Sequence, residues 1–183
     1  MLSIWHNGQQ VAEAKDPGVP LTNLACAIAM AIECGVAPET IATRLSSLPT
    51  PDHRQSVQTG PDGLTVIDDT YNANPASMRR GLELLEKYAD SNHRRVVATP
   101  GMVELGNAQR KENADFARKA SEIATDLVII GRTNRKALVV GAQDSDMNVV
   151  IVDRLPQAVA WMREHIGDGD AVLYANDLPD HYA

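Results

Sequence analysis

The chain has few residues of the kind that build disulfide frameworks or metal clusters. Its 183 residues include two cysteines, Cys26 and Cys34. They stand eight positions apart among apolar residues, with neither a Cys-x-x-Cys pair nor a metal-ligand spacing. We therefore expect two buried, free thiols in a reducing compartment, which excludes a disulfide scaffold and a zinc-type site.

The sequence also has no long apolar run and almost no basic clusters. Its longest apolar stretch, residues 24–32, is too short to span a bilayer, and the first residues carry no signal-peptide pattern. The formal net charge of −7 argues against nucleic acid as the main partner. These features predict a cytoplasmic protein that binds neither membrane nor nucleic acid.

Two phosphate-binding signatures are missing as well. No Gly-x-x-x-x-Gly-Lys-Ser/Thr segment occurs, so the sequence lacks the loop and the lysine that cradle phosphates in P-loop enzymes. No Gly-x-Gly-x-x-Gly segment follows a predicted strand, which argues against a dinucleotide-binding oxidoreductase domain.

What the sequence does contain is a strand, a polar turn and a helix start within residues 64–88. The strand ends in Asp68 and Asp69, while Asn74 is a good N-cap residue and Pro75 suits the first helical position. In an open α/β sheet, ligands bind beyond the carboxyl ends of the strands, where this turn would lie. The residues expected on the buried helix face are Met78, Leu82, Leu85 and Tyr88.

Strand-like and helix-like segments alternate through the rest of the chain. Strands are predicted at residues 95–99, 127–130, 149–152 and 171–174, with helices between them. Their apolar runs are continuous, as in parallel strands that are covered on both faces. We predict an α/β fold with a Rossmann-like, doubly wound, mainly parallel sheet.

The first 48 residues are predicted to be separate from this sheet. Residues 2–14 are typical of a β-hairpin, and the Ala- and Ile-rich helix at residues 23–34 is expected to be buried on most sides. A second helix begins at Pro38, and the Pro-rich residues 49–51 form a stiff connector. We predict a hairpin and helical remnant of a preceding domain at 1–48 and a second domain at 49–183.

The segment Asp-Asp-Thr-Tyr-Asn-Ala-Asn-Pro at residues 68–75, followed by Met78, resembles the motif that opens the C-terminal domain of Mur ligases. It is most similar to the MurF branch, whose members use ATP to add D-Ala-D-Ala to a UDP-linked muramoyl tripeptide. The helix from residue 23 resembles the one that closes the central ATPase domain of the family. The loop at residues 101–106 resembles the family's G-D-M-x-E-L-G loop, with Gly101 in place of Asp.

The chain departs from the family pattern at two further places. Residues 17–20 read Pro-Gly-Val-Pro where the family has a G-x-H-N segment that lines the adenine pocket. Residues 176–182 stand where MurF has a Lys-Gly-Ser-Arg stretch. The resemblance therefore points more firmly to the superfamily than to the D-Ala-D-Ala substrate.

The resemblance implies the lid domain of an ATP-dependent ligase of peptidoglycan precursor synthesis. Such a ligase forms an acyl phosphate, and an amine then attacks the acyl carbon and displaces phosphate. This chain alone, without a P-loop, is therefore expected to be inactive. ATP and Mg²⁺ would be held mostly by the missing central domain, and the implied partners are a UDP-muramoyl peptide and an amino acid or dipeptide. No catalytic or metal-binding residue is assigned to this chain. The implied nucleotide-binding residues are Arg54, Asp69, Tyr71 and Asn72, and the implied substrate-binding residues are Glu104, Arg132 and Asn134.

Two other functions stay open on the residues alone. Asp68 and Asp69 are compatible with the Mg²⁺ pocket of a phosphotransfer receiver-like domain, although no lysine follows the later strands. A non-catalytic, Rossmann-like interaction module is the second alternative.

Purely structural roles for single residues are open too, with Asp68 capping the turn, Arg54 exposed in a linker and Glu104 solvated in its loop. The sequence does not determine the amine substrate or the oligomeric state.

Overall fold

The computed structural model describes residues 1–48, 53–89 and 91–176. The chain divides into two compact units, Met1–Thr50 and Pro51–Ala183. The predicted connector at residues 49–51 lies outside the described residues. Within the described ranges, no helix has the length and apolar character needed to cross a membrane.

The first unit is a β-hairpin followed by two helices. Strands β1 (Leu2–His6) and β2 (Gln9–Ala14) pair in antiparallel fashion, as predicted. The turn residues Asn7 and Gly8 adopt left-handed backbone angles, with φ of 49° and 77°. Helices α1 (Leu21–Glu33) and α2 (Pro38–Leu45) follow. The small core of this unit is formed by Ile4, Ala14, Leu24, Ile41 and Leu45.

The expectation that α1 is buried on most sides is wrong for this unit. Its one buried residue is Leu24, whereas Leu21 and Met30 are 63% and 66% exposed. Cys26 and Cys34 are free but exposed, so the prediction that they are buried is also wrong. The reason is that α1 contributes one face to the small core of the unit, and no layer within residues 1–48 covers its other face.

The second unit contains a six-stranded sheet in the order β3-β4-β8-β5-β6-β7. Among these strands β3 alone is antiparallel, forming a hairpin with β4, and the other five are parallel. The prediction of a doubly wound, mainly parallel α/β sheet is confirmed. The strands are β3 (Ser56–Thr59), β4 (Thr65–Asp69), β5 (Arg95–Thr99), β6 (Asp126–Ile130), β7 (Asn148–Val152) and β8 (Ala171–Ala175).

Helices cover both faces of this sheet. Val97 of β5 packs in a core formed with α3, α4 and α5, while its neighbour Val96 packs in a core formed with α6. Both valines are fully buried, which explains why the strands contain continuous apolar runs. The helices are α3 (Pro75–Tyr88), α4 (Gln109–Ala120), α5 (Arg135–Ala142) and α6 (Leu155–His165), with a short 3₁₀ helix at Gly106–Ala108.

The start of α3 is fixed by its own sequence, next to the predicted site. The Asn74 side chain accepts hydrogen bonds from the backbone N–H groups of Ala76 and Ser77, both at 3.0 Å, and the Ser77 hydroxyl accepts from the Asn74 N–H at 3.1 Å. This capping box, with Pro75 at the first helical position, confirms the predicted helix start. Met78, Leu82 and Leu85 are buried as predicted, but Tyr88 is 42% exposed because it lies in the last turn.

Candidate functional site

The carboxyl ends of the parallel strands place the predicted site residues at one edge of the sheet. The predicted nucleotide-binding residues lie in or near the turn after β4, and the predicted substrate-binding residues lie in the loops after β5 and β6. Because β8 stands between β4 and β5, the two sets lie on opposite sides of that strand. The predicted nucleotide-binding and substrate-binding residues therefore form two separate groups at the same edge of the sheet.

The first group joins the turn after β4 to the residues that precede β3. The Arg54 guanidinium carbon lies 4.0 Å from the centre of the Tyr71 ring, a cation–π contact on an exposed tyrosine. The charge of Arg54 also acts on the Asp69 carboxylate. The prediction that the β3–β4 hairpin returns Arg54 to the end of β4 is confirmed. Asn72 is exposed in the same turn.

Asp69 is the buried carboxylate of this group, with 4% of its surface exposed. Burial raises the pKa of Asp69, and hydrogen bonding from Gln55 and the charge of Arg54 oppose that rise only in part. The Gln55 amide lies 3.5 Å from Asp69 Oδ2, which makes it a weak donor. A buried carboxylate is costly for the fold, and its oxygens have further lone pairs that can accept hydrogen bonds from a ligand.

Asp68 points away from Asp69, as successive residues of a strand do. Its Oδ1 accepts from the Thr70 hydroxyl at 2.7 Å and from the Thr70 N–H at 3.1 Å, and its Oδ2 lies 2.7 Å from His53 Nδ1. Partial burial raises the pKa of Asp68, but the hydrogen bonds from Thr70 and His53 outweigh it and hold the pKa below its ordinary value. Asp68 therefore caps the turn.

The two aspartates do not form a shared cation pocket. Across residues 1–48, 53–89 and 91–176, no three His, Cys, Asp or Glu side chains are grouped so that they could hold a metal ion. The receiver-like alternative gains no support from this arrangement.

Gln55 belongs to this group although the sequence reasoning did not select it. Its side-chain amide donates toward Asp69 and toward the Ser77 carbonyl at 3.4 Å, which links the end of β4 to α3. The strand register pairs Ser56 with Asp68, so the residue before Ser56 must lie beside Asp69. A register assigned to the β3–β4 hairpin would have found it.

The predicted substrate-binding residues differ in exposure. Glu104 is exposed in the loop after β5, with a left-handed φ of 62°. The Arg132 side chain is 82% exposed after β6, with its Nε 3.6 Å from Asp153 Oδ1. Asn134 is buried instead, and we find it bonded within the protein: its amide donates to the Pro100 carbonyl and accepts from Gln109, both at 3.0 Å. Substrate binding by these three residues stays a prediction.

Buried asparagines also hold the loop after β5. Asn113 forms two hydrogen bonds with the backbone of Met102, accepting from its N–H at 2.8 Å and donating to its carbonyl at 2.9 Å. Asn176 donates from its side chain to the Gly101 carbonyl at 2.6 Å and from its backbone to the Asp69 carbonyl at 3.0 Å. Asn176 therefore ties the end of β4 to the loop after β5, and the sequence reasoning did not identify it.

The fold defines the class of the chain: a doubly wound α/β domain with polar loops at the carboxyl ends of its strands, which is where ligands bind in folds of this class. The chain belongs to the Mur ligase family, because the family profile described as "Mur ligase, glutamate ligase domain" matches residues 53–176. The resemblance noted in the sequence is confirmed.

Among its relatives is the UDP-N-acetylmuramoyl-tripeptide–D-alanyl-D-alanine ligase of Mycobacterium tuberculosis, 35% identical over 173 residues, which are 84% of this chain and 34% of the relative. A MurF structure from Acinetobacter baumannii is 26% identical with a TM-score of 0.63, covering 86% of this chain and 34% of the other. MurF from Thermotoga maritima in complex with ADP gives a TM-score of 0.67 at 19% identity, which shows the fold alone, with the same two coverages. The chain thus spans about a third of the length of these relatives.

Proposed function

We propose that this chain is the C-terminal lid domain, with the end of the preceding central domain, of an ATP-dependent Mur ligase that forms an amide bond in peptidoglycan precursor synthesis. Family membership and the similarity to UDP-N-acetylmuramoyl-tripeptide–D-alanyl-D-alanine ligases support the proposal. The observation that carries it is the grouping of Arg54, Asp69 and Tyr71 at the carboxyl end of β4, inside the matched range.

In this proposal the group after β4 contacts the nucleotide. The Asp69 carboxylate accepts hydrogen bonds from the ribose hydroxyls, as acidic residues do in Rossmann-type sites. Arg54 places a positive charge toward the phosphates, and Tyr71 and Asn72 present exposed side chains beside it. When bound, ATP with Mg²⁺ supplies the phosphoryl group that activates the carboxylate substrate, and the central domain holds most of its phosphate contacts.

The loops after β5 and β6 position the amine substrate in this proposal. Glu104 and Arg132 reach solvent there and have charges that suit an amino group and a carboxylate, respectively. Asn134 acts on the substrate indirectly, by holding the loop after β5 through Pro100. The substrates are a UDP-muramoyl peptide and an amino acid or dipeptide, with D-Ala-D-Ala favoured by the relatives. Closure of the lid excludes water, which protects an acyl phosphate from hydrolysis.

The first unit supports the proposed domain assignment. Helix α1 leaves the apolar side chains of Leu21 and Met30 exposed, and apolar helix residues of this size are normally covered by another layer. We assign residues 1–48 to the end of the central ATPase domain, whose remaining segments would cover these side chains. We also propose that the ligase reaction takes place in the cytoplasm, because the reaction consumes ATP and needs a compartment that supplies it.

The chain alone is expected to release no phosphate from ATP and to form no amide bond. The sequence has no P-loop, and the remaining ribose and phosphate contacts contribute only ~1–3 kcal/mol each, so ATP binding should be weak or undetectable. A phosphate-release assay and calorimetric titration with ATP test both statements. A parallel purification from cells without the gene controls for contaminating ATPases. Phosphate release above that control would refute the proposal that this chain supplies only the lid.

A further inference from the structure

Three consecutive residues before β3 each contact the turn at the end of β4. The His53 side chain contacts Asp68, and its carbonyl accepts the Tyr71 N–H at 3.0 Å. Arg54 stacks on the Tyr71 ring, and Gln55 contacts Asp69. Residues 53–55 are thus held to the turn along their whole length, by backbone as well as by side chains.

The backbone on both sides of Arg54 adopts an unusual conformation. His53 and Gln55 have φ of 60° and 56°, in the left-handed region that residues with a side chain seldom adopt. Such a conformation persists only where surrounding contacts hold it in place. For His53 the holding contacts are the hydrogen bonds to Asp68 and from Tyr71.

The hydrogen bonds of Asp68 determine which nitrogen of His53 carries a proton. Asp68 already accepts two hydrogen bonds from Thr70, which favours its ionised form. An ionised carboxylate only accepts, so His53 Nδ1 must carry the proton that it shares with Asp68 Oδ2 at 2.7 Å. This requirement is met by the neutral imidazole and by the imidazolium, so the contact does not depend on His53 being charged.

We propose that His53 and Asp68 form a clasp that positions Arg54 over Tyr71 for its contact with the nucleotide. The two residues act through Arg54 and are positioning residues. A free arginine samples many rotamers, and a stacked one has lost part of that freedom before a ligand arrives. The clasp therefore improves nucleotide affinity by pre-organisation. The nucleotide part of this inference rests on the proposed function, whereas the clasp itself lies within this chain.

Two variants of His53 separate the hydrogen bond from the backbone conformation. His53→Gly removes the donor and still tolerates a positive φ. His53→Asn keeps an N–H donor near the position of Nδ1, and asparagine is also enriched in the left-handed region. A structural role for residue 53 as a turn residue would be served equally by both variants, but the clasp is served only by His53→Asn.

The first readout is the NMR chemical shift of the Arg54 Nε–H group in the 183-residue chain, which the Tyr71 ring current displaces. The Tyr71→Leu variant gives the shift of an unstacked Arg54. We expect His53→Gly to move the resonance most of the way to that reference, and His53→Asn to keep it near the wild-type position. A wild-type shift in His53→Gly, or equal shifts in the two His53 variants, would overturn the clasp.

The second readout is steady-state kinetics of the complete ligase. We expect His53→Gly to raise KM for ATP roughly three- to tenfold with little change in kcat, and His53→Asn to restore most of the loss. If the Arg54 resonance moves but KM for ATP does not, the role of Arg54 at the nucleotide is wrong, and only the contact between His53 and Asp68 stands. The two experiments thus distinguish failure of the clasp from failure of the proposed function.

Discussion

In the complete ligase, we expect Asp69→Ala to lower kcat/KM for ATP roughly ten- to a hundredfold. The substitution removes the carboxylate that we propose accepts from the ribose, and loss of one charge-assisted hydrogen bond costs ~1.5–3 kcal/mol. The KM for the muramoyl substrate should stay nearly unchanged, because the contact that we propose for Asp69 is with the nucleotide alone. Steady-state kinetics with each substrate varied in turn measures both effects.

Asp69→Asn controls for unfolding in this experiment. Burial in the folded protein raises the pKa of Asp69 above its ordinary value of 3.8. The protonated carboxyl group therefore adds its full contribution to the free energy of unfolding at pH values below 3.8, and this contribution is lost as the pH rises through the folded pKa. At pH 7 the buried charge therefore destabilises the fold, and Asp69→Asn should raise the melting temperature while it lowers ATP affinity.

Asp68→Ala should affect ATP kinetics less than Asp69→Ala does and should lower the melting temperature more, since Asp68 caps the turn. If Asp69→Ala has the ATP kinetics of the wild type, the proposed contact between Asp69 and the nucleotide ribose is wrong.

The second large effect is expected from Gly101→Ala, which should destabilise the second unit by about 3–5 kcal/mol. Gly101 has a φ of 85°, and a Cβ there would overlap Asn113 Oδ1 and come within 2.8 Å of Asn134 Cβ. Both asparagines are buried and bonded to the loop, so neither can move without losing hydrogen bonds. The melting temperature should fall by about 10–15 °C, measured by circular dichroism.

Gly106→Ala is the matched control for this substitution. Gly106 lies at the other end of the same loop and also has a left-handed φ, 52°, but a Cβ there meets no atom within 4 Å. Its replacement should cost only the backbone strain, about 1–2 kcal/mol. Equal losses in the two variants would show that strain alone, and not the packing of the asparagines around Gly101, determines the effect.

Local sequence signals were sufficient to predict the elements that border the site. The start of α3 depends on the Asn74 cap and on Pro75 at the first helical position, all within one helical turn. It can therefore be predicted from the local sequence alone. Continuous apolar runs identified the parallel strands, because both faces of the sheet are covered. The return of Arg54 to the end of β4 also followed from a short hairpin.

Arrangements that depend on distant segments were not predictable in this way. Strand β8 is the last of the described strands yet lies between β4 and β5, and this position brings Asn176 between Asp69 and Gly101. The burial of Asn134 likewise depends on Pro100 and Gln109, which belong to other segments. For α1 the error came from composition, since an apolar helix is buried only where a second layer exists.

The most direct test of the central claim is ATP-dependent amide-bond formation by the complete protein. We predict that the gene's upstream reading frame encodes a P-loop, and that its product releases ADP and phosphate in step with a new amide when a UDP-muramoyl peptide and an amine substrate such as D-Ala-D-Ala are both present. Mass spectrometry of the muramoyl product, with each substrate omitted in turn, measures this coupling. A complete protein that has no P-loop, or that forms no amide with any UDP-muramoyl peptide and amine tested, would contradict the account.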